Sequence, residues 1–192
     1  MPSNFFETWR TIRAKALNEI VAAHRMVGGT GRGRRFATQQ INHAYAVLLS
    51  SQFQGFCRNL HAECIGHLFG MVTPPSLADI VRQEFREGRK LDKENPNPGN
   101  IGSDFGRFGL KFWDEVIHHD AQNTNRKKEL EFLNEWRNAI AHQDFDPTKL
   151  SGIPTLRLSQ VSQWRRTCHA LAQSFDEVMR GYIQSITGTS PW

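Results

Sequence analysis

The chain has 192 residues, and its 24 lysines and arginines against 19 aspartates and glutamates give a formal net charge of +5. A chain of this length is expected to form one domain over residues 1–192 and to bury about 70% of its unfolded surface without disulfides or a structural metal. The longest apolar run, residues 44–49, is far shorter than the roughly 18 residues of a membrane span, and no signal-peptide pattern opens the chain. These features argue against a membrane protein, a secreted disulfide scaffold and a disordered chain.

The first half of the sequence predicts two helices joined by a basic loop. Apolar residues recur every three or four positions from Phe5 to Ala23, which predicts a helix with an N-cap at Asn4 and an end at Gly28. A second helix is predicted over residues 36–69, and its length suits the spine of a bundle. Its core-facing stripe is predicted to be Ile41, Tyr45, Leu48, Phe53, Phe56, Leu60, Cys64 and Leu68.

Shorter elements are predicted to follow. The Thr-Pro-Pro break at residues 73–75 precedes Ser76, which resembles the start of a capping box for a helix through about residue 88. Residues 91–102 are polar and rich in turn formers, which predicts a loop or excursion. A single helix is then predicted through residues 105–116, despite two internal glycines.

Two further helices complete the predicted fold. One begins at Asn123 and ends near His142, and a connector at residues 143–158 contains two prolines. The last helix is predicted to be capped by Ser159 and to face inward as far as Ile186. Because no stretch alternates convincingly as a strand does, the sequence predicts an all-α bundle of about five to six helices around the long one.

The positive charge is concentrated in one segment. No acidic residue lies between Glu19 and Glu63, and the five arginines of this stretch equal the net charge of +5. Such a segment is either a solvated surface or an attractive surface for a polyanion. The five arginines are Arg25, Arg32, Arg34, Arg35 and Arg58.

The loop at residues 28–35, Gly-Gly-Thr-Gly-Arg-Gly-Arg-Arg, does not match a phosphate-binding loop of the Walker type. That motif ends in Gly-Lys followed by Ser or Thr, and it follows a strand, whereas this loop follows a predicted helix. The loop is instead a basic segment ahead of a helix N-terminus, and a helix N-terminus favours anions. Arg32, Arg34 and Arg35 are therefore candidates for contacts with RNA phosphates, and a solvated linker is the alternative.

The cysteines and the adjacent histidines point to no metal or cofactor. Cys57, Cys64 and Cys168 are an odd number with no Cys-x-x-Cys pair, which is typical of buried thiols in a reducing compartment, so a cytoplasmic location is expected. His118 and His119 are neighbours on a predicted helix and diverge by about 100°, so their imidazoles do not converge on one ion. An exposed helix end is the preferred interpretation.

A third candidate functional site lies at residues 135–142, Glu-Trp-Arg-Asn-Ala-Ile-Ala-His. Asn138 and His142 are four positions apart and share one side of a helix, and Arg137 can swing its long side chain toward the same groove. The small residues Ala139 and Ala141 would let a substrate or a second helix approach. The alternative is a histidine favoured by the helix dipole beside a solvated arginine.

This run resembles the Arg-x4-6-His motif of HEPN domains, with the polar residue that often follows the arginine. Residues 43–56 resemble the long helix of the RiboL-PSP-HEPN and MAE-type HEPN group, and the pattern from Val161 through Val178 resembles the last helix of that group. The resemblance covers most of residues 36–185. One position departs from it, because Gln54 stands where relatives often carry an acidic residue.

The resemblance implies a helical bundle that forms a homodimer, with two motif helices facing each other across a cleft. Many such proteins are metal-independent endoribonucleases, often toxins or defence effectors that act with an antitoxin or another neighbouring-gene partner. Others lack activity and bind a protein or a nucleotide, and Gln54 favours that alternative. A third interpretation is a helical nucleic-acid binder that uses Arg32, Arg34 and Arg35.

The residues suit metal-independent RNA cleavage. Attack by the 2′-hydroxyl needs one proton removed and another delivered to the leaving 5′-oxygen, and histidine titrates in the right range for either step. Arginine stabilises charge on the phosphorane-like oxygens. The leading hypothesis is therefore a homodimeric HEPN-type ribonuclease in which Arg137 and His142 act with support from Asn138, leaving 2′,3′-cyclic phosphate ends.

Overall fold

All regular elements of the structure are helical. The computed structural model describes residues 1–28, 34–70, 74–152 and 155–192, and seven α-helices lie in these ranges without any strand. The first helix, α1, runs without a break through Asn4–Thr8, a π-helical turn at Trp9–Arg13, and Ala14–Val27. The others are α2 (Arg34–Phe69), α3 (Pro75–Arg86), α4 (Pro98–Gly106), α5 (Phe112–His119), α6 (Asn123–His142) and α7 (Leu158–Thr187).

The long helix α2 is the centre of the bundle, and α1, α6 and α7 all pack against it. Residues of its predicted core stripe, such as Tyr45, Phe53, Phe56 and Leu60, are at most 1% exposed. Burying one such side chain contributes about 1.5–3 kcal/mol, so α2 supplies a large part of the folding free energy. The predicted all-α fold with one long helix is confirmed.

Aromatic rings connect α2 to the later helices. Phe175 of α7 packs against Phe53 of α2 with ring centroids 5.9 Å apart, and against Phe112 of α5 at 4.9 Å. Phe112 in turn stacks on Phe105 of α4 at 4.4 Å. This chain of buried rings fixes α4 and α5 on the bundle, which in turn positions the segment that precedes α4.

The structure corrects several element boundaries. The predicted helix over residues 105–116 is two helices, because Gly109 adopts φ 90° between them. The predicted loop at residues 91–102 holds a 3₁₀ turn at Lys90–Asp92 and the first part of α4. Proline at the first position of α4 begins that helix early, since its missing N–H needs no partner there.

Three predicted caps are also wrong. Ser3, not Asn4, caps α1, because its hydroxyl accepts a hydrogen bond from the Phe6 N–H. Pro74 takes the cap position of α3 in place of Ser76, and α7 begins one residue before Ser159. Ile186 is 56% exposed, so the inward face of α7 ends earlier than predicted.

The three cysteines behave as predicted. Cys57, Cys64 and Cys168 are buried and free, and burial raises the pKa of each thiol. In the ranges that the structure describes, no helix is both long and apolar enough to cross a bilayer.

Candidate functional site

The Arg-Asn-Ala-Ile-Ala-His run occupies the last turns of α6. Leu133, Trp136 and Ala139 are buried, so they hold this end of the helix against the core. The helix ends after His142 because Gln143 adopts the left-handed conformation with φ 55°. His142 is therefore an exposed side chain on a rigid helix end rather than on a loop.

Asn138 joins Arg137 to a distant part of the chain. Its side-chain Oδ1 accepts one hydrogen bond from Arg137 Nη1 at 3.1 Å and another from Asn95 Nδ2 at 3.0 Å. The Asn138 oxygen thus accepts two hydrogen bonds. Its Nδ2 group, a hydrogen-bond donor, has no partner among the described residues. A donor suits an acceptor such as a phosphate oxygen.

Asn95 is held in place by amide hydrogen bonds. Gln54 Nε2 donates to the carbonyl oxygens of Leu91 at 2.7 Å and Glu94 at 2.8 Å. Asn100 Nδ2 donates to the carbonyl oxygen of Asn95 itself at 2.9 Å. The segment that brings Asn95 to the motif is thus fastened to both α2 and α4.

A buried asparagine of α6 fastens the same segment from the other side. Asn134 Nδ2 donates to the carbonyl oxygen of Pro96 at 3.1 Å, and Asn134 Oδ1 accepts from the Ser50 hydroxyl at 3.2 Å. Because Asn134 is 2% exposed, these bonds are shielded from water and fix α2, α6 and the segment together.

A cavity of about 360 Å³ lies beside the motif. From α6 it is lined by Glu135, Asn138, Ala139 and His142. Asn138 and Ala139 each lie three or four positions from both Glu135 and His142, so the four residues share one side of the helix. The chain after α6 closes the other side. That side is formed by Asp144, Lys149 and Leu150.

Glu135 is a residue of this cavity that the motif alone does not indicate. Glu135 is exposed, and its partial burial, followed by the nearby charge of Glu131, raises the pKa of its carboxyl. A raised pKa brings a carboxyl closer to the range in which it can exchange protons near neutrality. The spacing of seven between Glu135 and His142 was a signal in the sequence, since two such positions share one helix face.

Arg137 does not line this cavity. Its half-buried side chain turns to Asn138, and Asn138 in turn lines the cavity together with His142. Asn138 is therefore the residue that links the arginine to the histidine.

Two of the three predicted RNA-contacting arginines lie at the start of α2. Arg32 lies outside the described residues, and Arg34 and Arg35 form the first turn of α2. Arg58, in the same acid-free stretch, is paired with Asp92 at 2.8 Å between Nε and Oδ1, and it shares this carboxylate with Arg89.

Of the two adjacent histidines, His119 pairs with a carboxylate of the last helix. His119 Nε2 lies 3.0 Å from Glu177 Oε2, which joins α5 to α7. Among the residues that the structure describes, no three His, Cys, Asp or Glu side chains are grouped as metal ligands.

One aromatic residue near the motif was not identified from the sequence. Phe145, two residues beyond the end-capping Gln143, is 40% exposed and stacks on His43 of α2 with ring centroids 5.4 Å apart. Burial lowers the pKa of His43, which favours the uncharged form of this stacking partner. An exposed ring next to Asp144 of the cavity could support a base.

Comparisons of the chain with protein-family models, with curated proteins and with solved structures find no match.

Proposed function

We propose that this protein is a metal-independent endoribonuclease of HEPN type that works as a homodimer and leaves 2′,3′-cyclic phosphate ends. The observation that supports it most is the hydrogen-bonded pair of Arg137 and Asn138 beside a cavity lined by His142. The pair supplies a fixed positive charge and amide donors, and the histidine supplies an imidazole that can accept or donate a proton.

Each residue has a distinct role in the proposed reaction. Arg137 stabilises the negative charge that grows on the non-bridging phosphate oxygens. Asn138 binds a phosphate oxygen through its Nδ2 group, since its oxygen already accepts two hydrogen bonds. His142 removes the 2′-hydroxyl proton or protonates the leaving 5′-oxygen.

The second proton transfer needs another group. In the proposed dimer that group is His142 of a second copy of the chain, while Glu135 is the candidate within the same chain because it lines the same cavity. Glu135→Gln distinguishes the two. If this variant loses one limb of the pH–rate profile, Glu135 performs the second proton transfer. If the profile is unchanged, the second histidine performs it.

Phe145 would add to the recognition of single-stranded RNA by stacking on a base. Base stacking on one aromatic side chain contributes about 1–3 kcal/mol and tolerates any base. This fits an enzyme that cuts flexible strands with little sequence preference, as a toxin or defence effector in the cytoplasm would.

The test is cleavage of a labelled single-stranded RNA in the presence of EDTA. His142→Ala and Arg137→Gln are each expected to lower the rate by roughly 10²-fold or more, since each removes a proton-transfer or charge-stabilising group. His118→Ala, which changes another exposed histidine, is the matched control and should cut like the wild type. Equal rates for the wild type and His142→Ala would overturn the role of His142.

A catalytically inactive HEPN module that binds a protein or a nucleotide is the second candidate. Gln54 favours it, because this residue stands where HEPN relatives often carry an acidic residue. Its amide donates two hydrogen bonds to carbonyl oxygens, which a carboxylate could not do. Failure to cut any RNA, together with a stable complex with a neighbouring gene's product such as an antitoxin, would support this candidate over the enzyme.

A further inference from the structure

A second cavity lies between α1 and α7, and α6 lines no part of it. Its volume is about 370 Å³, within the range of small-molecule sites. The α1 side is formed by Trp9, Arg10, Ala14 and Leu17. Trp9 and Leu17 are 3% and 2% exposed, and Trp9 packs against Phe53 with ring centroids 5.8 Å apart, so the apolar part of this wall is anchored in the core, with Arg10 beside it.

The backbone of α1 is unusual at this cavity. Trp9–Arg13 forms a π-helical turn, which places one extra residue in the turn and widens the helix. Such turns inside α-helices often occur at functional sites. Trp9 and Arg10, both in this turn, line the cavity.

The α7 side of the cavity is cationic. It is formed by Arg165, Arg166 and His169. Arg165 donates to the Tyr45 hydroxyl at 3.4 Å and to the Ala14 carbonyl oxygen at 3.3 Å, both neutral acceptors.

Within the described part of the chain, these positive charges are only partly compensated. Arg166 donates to the neutral Gln163 Oε1 at 2.6 Å, and neither it nor Arg165 has a carboxylate within ion-pair distance there. Arg10 is paired with Glu7 at 3.0 Å, but Glu7 does not line the cavity. Burial, and then the charges of Arg10 and Arg165, lowers the pKa of His169.

We propose that this cavity binds a small organic anion with an apolar body, such as an aromatic carboxylate, sulfonate or phosphate monoester. The apolar wall on α1 would take the body of the ligand. The guanidinium groups of Arg165 and Arg166 would take its acidic group, because charge-assisted hydrogen bonds to them replace neutral or solvent partners. This proposal does not depend on the ribonuclease activity.

Fluorescence titration with 1-anilinonaphthalene-8-sulfonate tests the proposal on the native protein. We expect one saturable site, and we expect Arg166→Gln to weaken binding by at least about tenfold, since one charged hydrogen bond is worth about that factor. N-phenyl-1-naphthylamine, which lacks the sulfonate, should bind at least about tenfold more weakly. Arg25→Gln, at an exposed arginine of α1 away from the cavity, is the matched control and should bind as the wild type does.

Ala14→Phe provides a second variant that keeps every charge and fills the cavity. It should abolish saturable binding while RNA cleavage in EDTA stays at the wild-type rate. Equal affinity for the two dyes, or equal affinity of the wild type, Arg166→Gln and Ala14→Phe, would overturn the proposal. Either result would leave the assignment of His142 unaffected, because the two experiments use different variants and readouts.

Discussion

Gln54 illustrates how a single side chain can support a site without reacting. Its amide donates hydrogen bonds to the carbonyl oxygens of Leu91 and Glu94, and these bonds hold the segment that carries Asn95. A carboxylate at this position has no hydrogen to donate and would face two carbonyl oxygens. The amide is therefore the side chain that this backbone arrangement requires.

Replacing Gln54 by Glu is expected to destabilise the fold by about 1–3 kcal/mol, because it leaves two acceptors unpaired and adds a charge beside them. Urea unfolding measures the change. Gln54→Met is the control, since it removes the donors without adding a charge, and it should cost about 1 kcal/mol. A glutamate variant as stable as the wild type would show that the amide does not hold this segment.

His61 couples stability to pH. Its side chain is fully buried, and its Nε2 lies 3.0 Å from the Asp104 carbonyl oxygen, to which it donates. Burial, followed by the charge of Arg89, lowers its pKa from 6.5 to about 3. The unfolded chain therefore binds a proton between these values that the folded chain does not.

Stability should accordingly fall as the pH drops from 6.5 toward 3, with a contribution from His61 of up to about 1.4 kcal/mol per pH unit. The measurement is the unfolding free energy in urea across this window. His61→Gln keeps a donor for the Asp104 carbonyl oxygen and removes the titration, so its slope should be shallower. Burial raises the pKa values of Glu63 and Asp176, so these two groups change the stability with pH in the opposite direction. They do so equally in the wild type and in His61→Gln, and the difference between the two slopes therefore reports His61 alone. Identical slopes would contradict the assignment.

At the scale of the elements, Gly109 separates α4 from α5. Its φ of 90° is a conformation that side chains disfavour, and this turn lets Phe105 and Phe112 stack on each other across the break. The Phe108 carbonyl oxygen, next to the turn, accepts a hydrogen bond from the Tyr182 hydroxyl at 2.5 Å. The turn is thus fastened to α7 and cannot relax into a continuous helix without losing these contacts.

Gly109→Ala is therefore expected to lower the free energy of unfolding by about 1–2 kcal/mol, through backbone strain rather than a clash, since the new Cβ would lie 3.7 Å from the Tyr182 hydroxyl. Gly106→Ala is the matched control. Its Cβ would meet nothing within 4 Å, and it lies in α4, so it should stabilise the protein by about 0.5 kcal/mol. Denaturant unfolding of both variants decides the point, and a neutral Gly109→Ala would refute the strain argument.

At the scale of the whole molecule, the modest net charge is a local feature. Arg58 is paired with Asp92, whereas Arg34 and Arg35 begin the central helix, and Arg32 lies two positions earlier in the sequence. All three are far along the sequence from the motif in α6. In the proposed ribonuclease these three arginines would hold the RNA strand while Arg137 and His142 act on it. Their contribution would be electrostatic and would not depend on the RNA sequence.

Replacing Arg32, Arg34 and Arg35 together by Gln should weaken RNA binding and reduce the slope of log affinity against log salt concentration by about 2, which corresponds to three phosphate contacts. The binding of a labelled RNA to the His142→Ala protein at several salt concentrations measures this. A triple Lys-to-Gln variant at the exposed Lys15, Lys111 and Lys128 removes the same charge elsewhere and should keep the slope. Retained affinity in the arginine variant would remove the loop from the RNA-binding surface.

The sequence by itself determined most of the helices, because the 3.6-residue period of apolar side chains and the breaks at glycine and proline are properties of neighbouring residues. It thereby predicted the long α2 and the motif at the end of α6. It misjudged residues 91–116, where the left-handed turn at Gly109 depends on packing against α7.

Only the tertiary structure decided which distant groups meet. Asn95 and Asn138 are 43 positions apart, and Ala14 and Arg165 are 151 apart, so no local pattern joins them. Their contacts exist because the core of aromatic rings fixes the helices in one arrangement. The segment that supports the candidate catalytic residues, and the cationic cavity between α1 and α7, are both consequences of that packing.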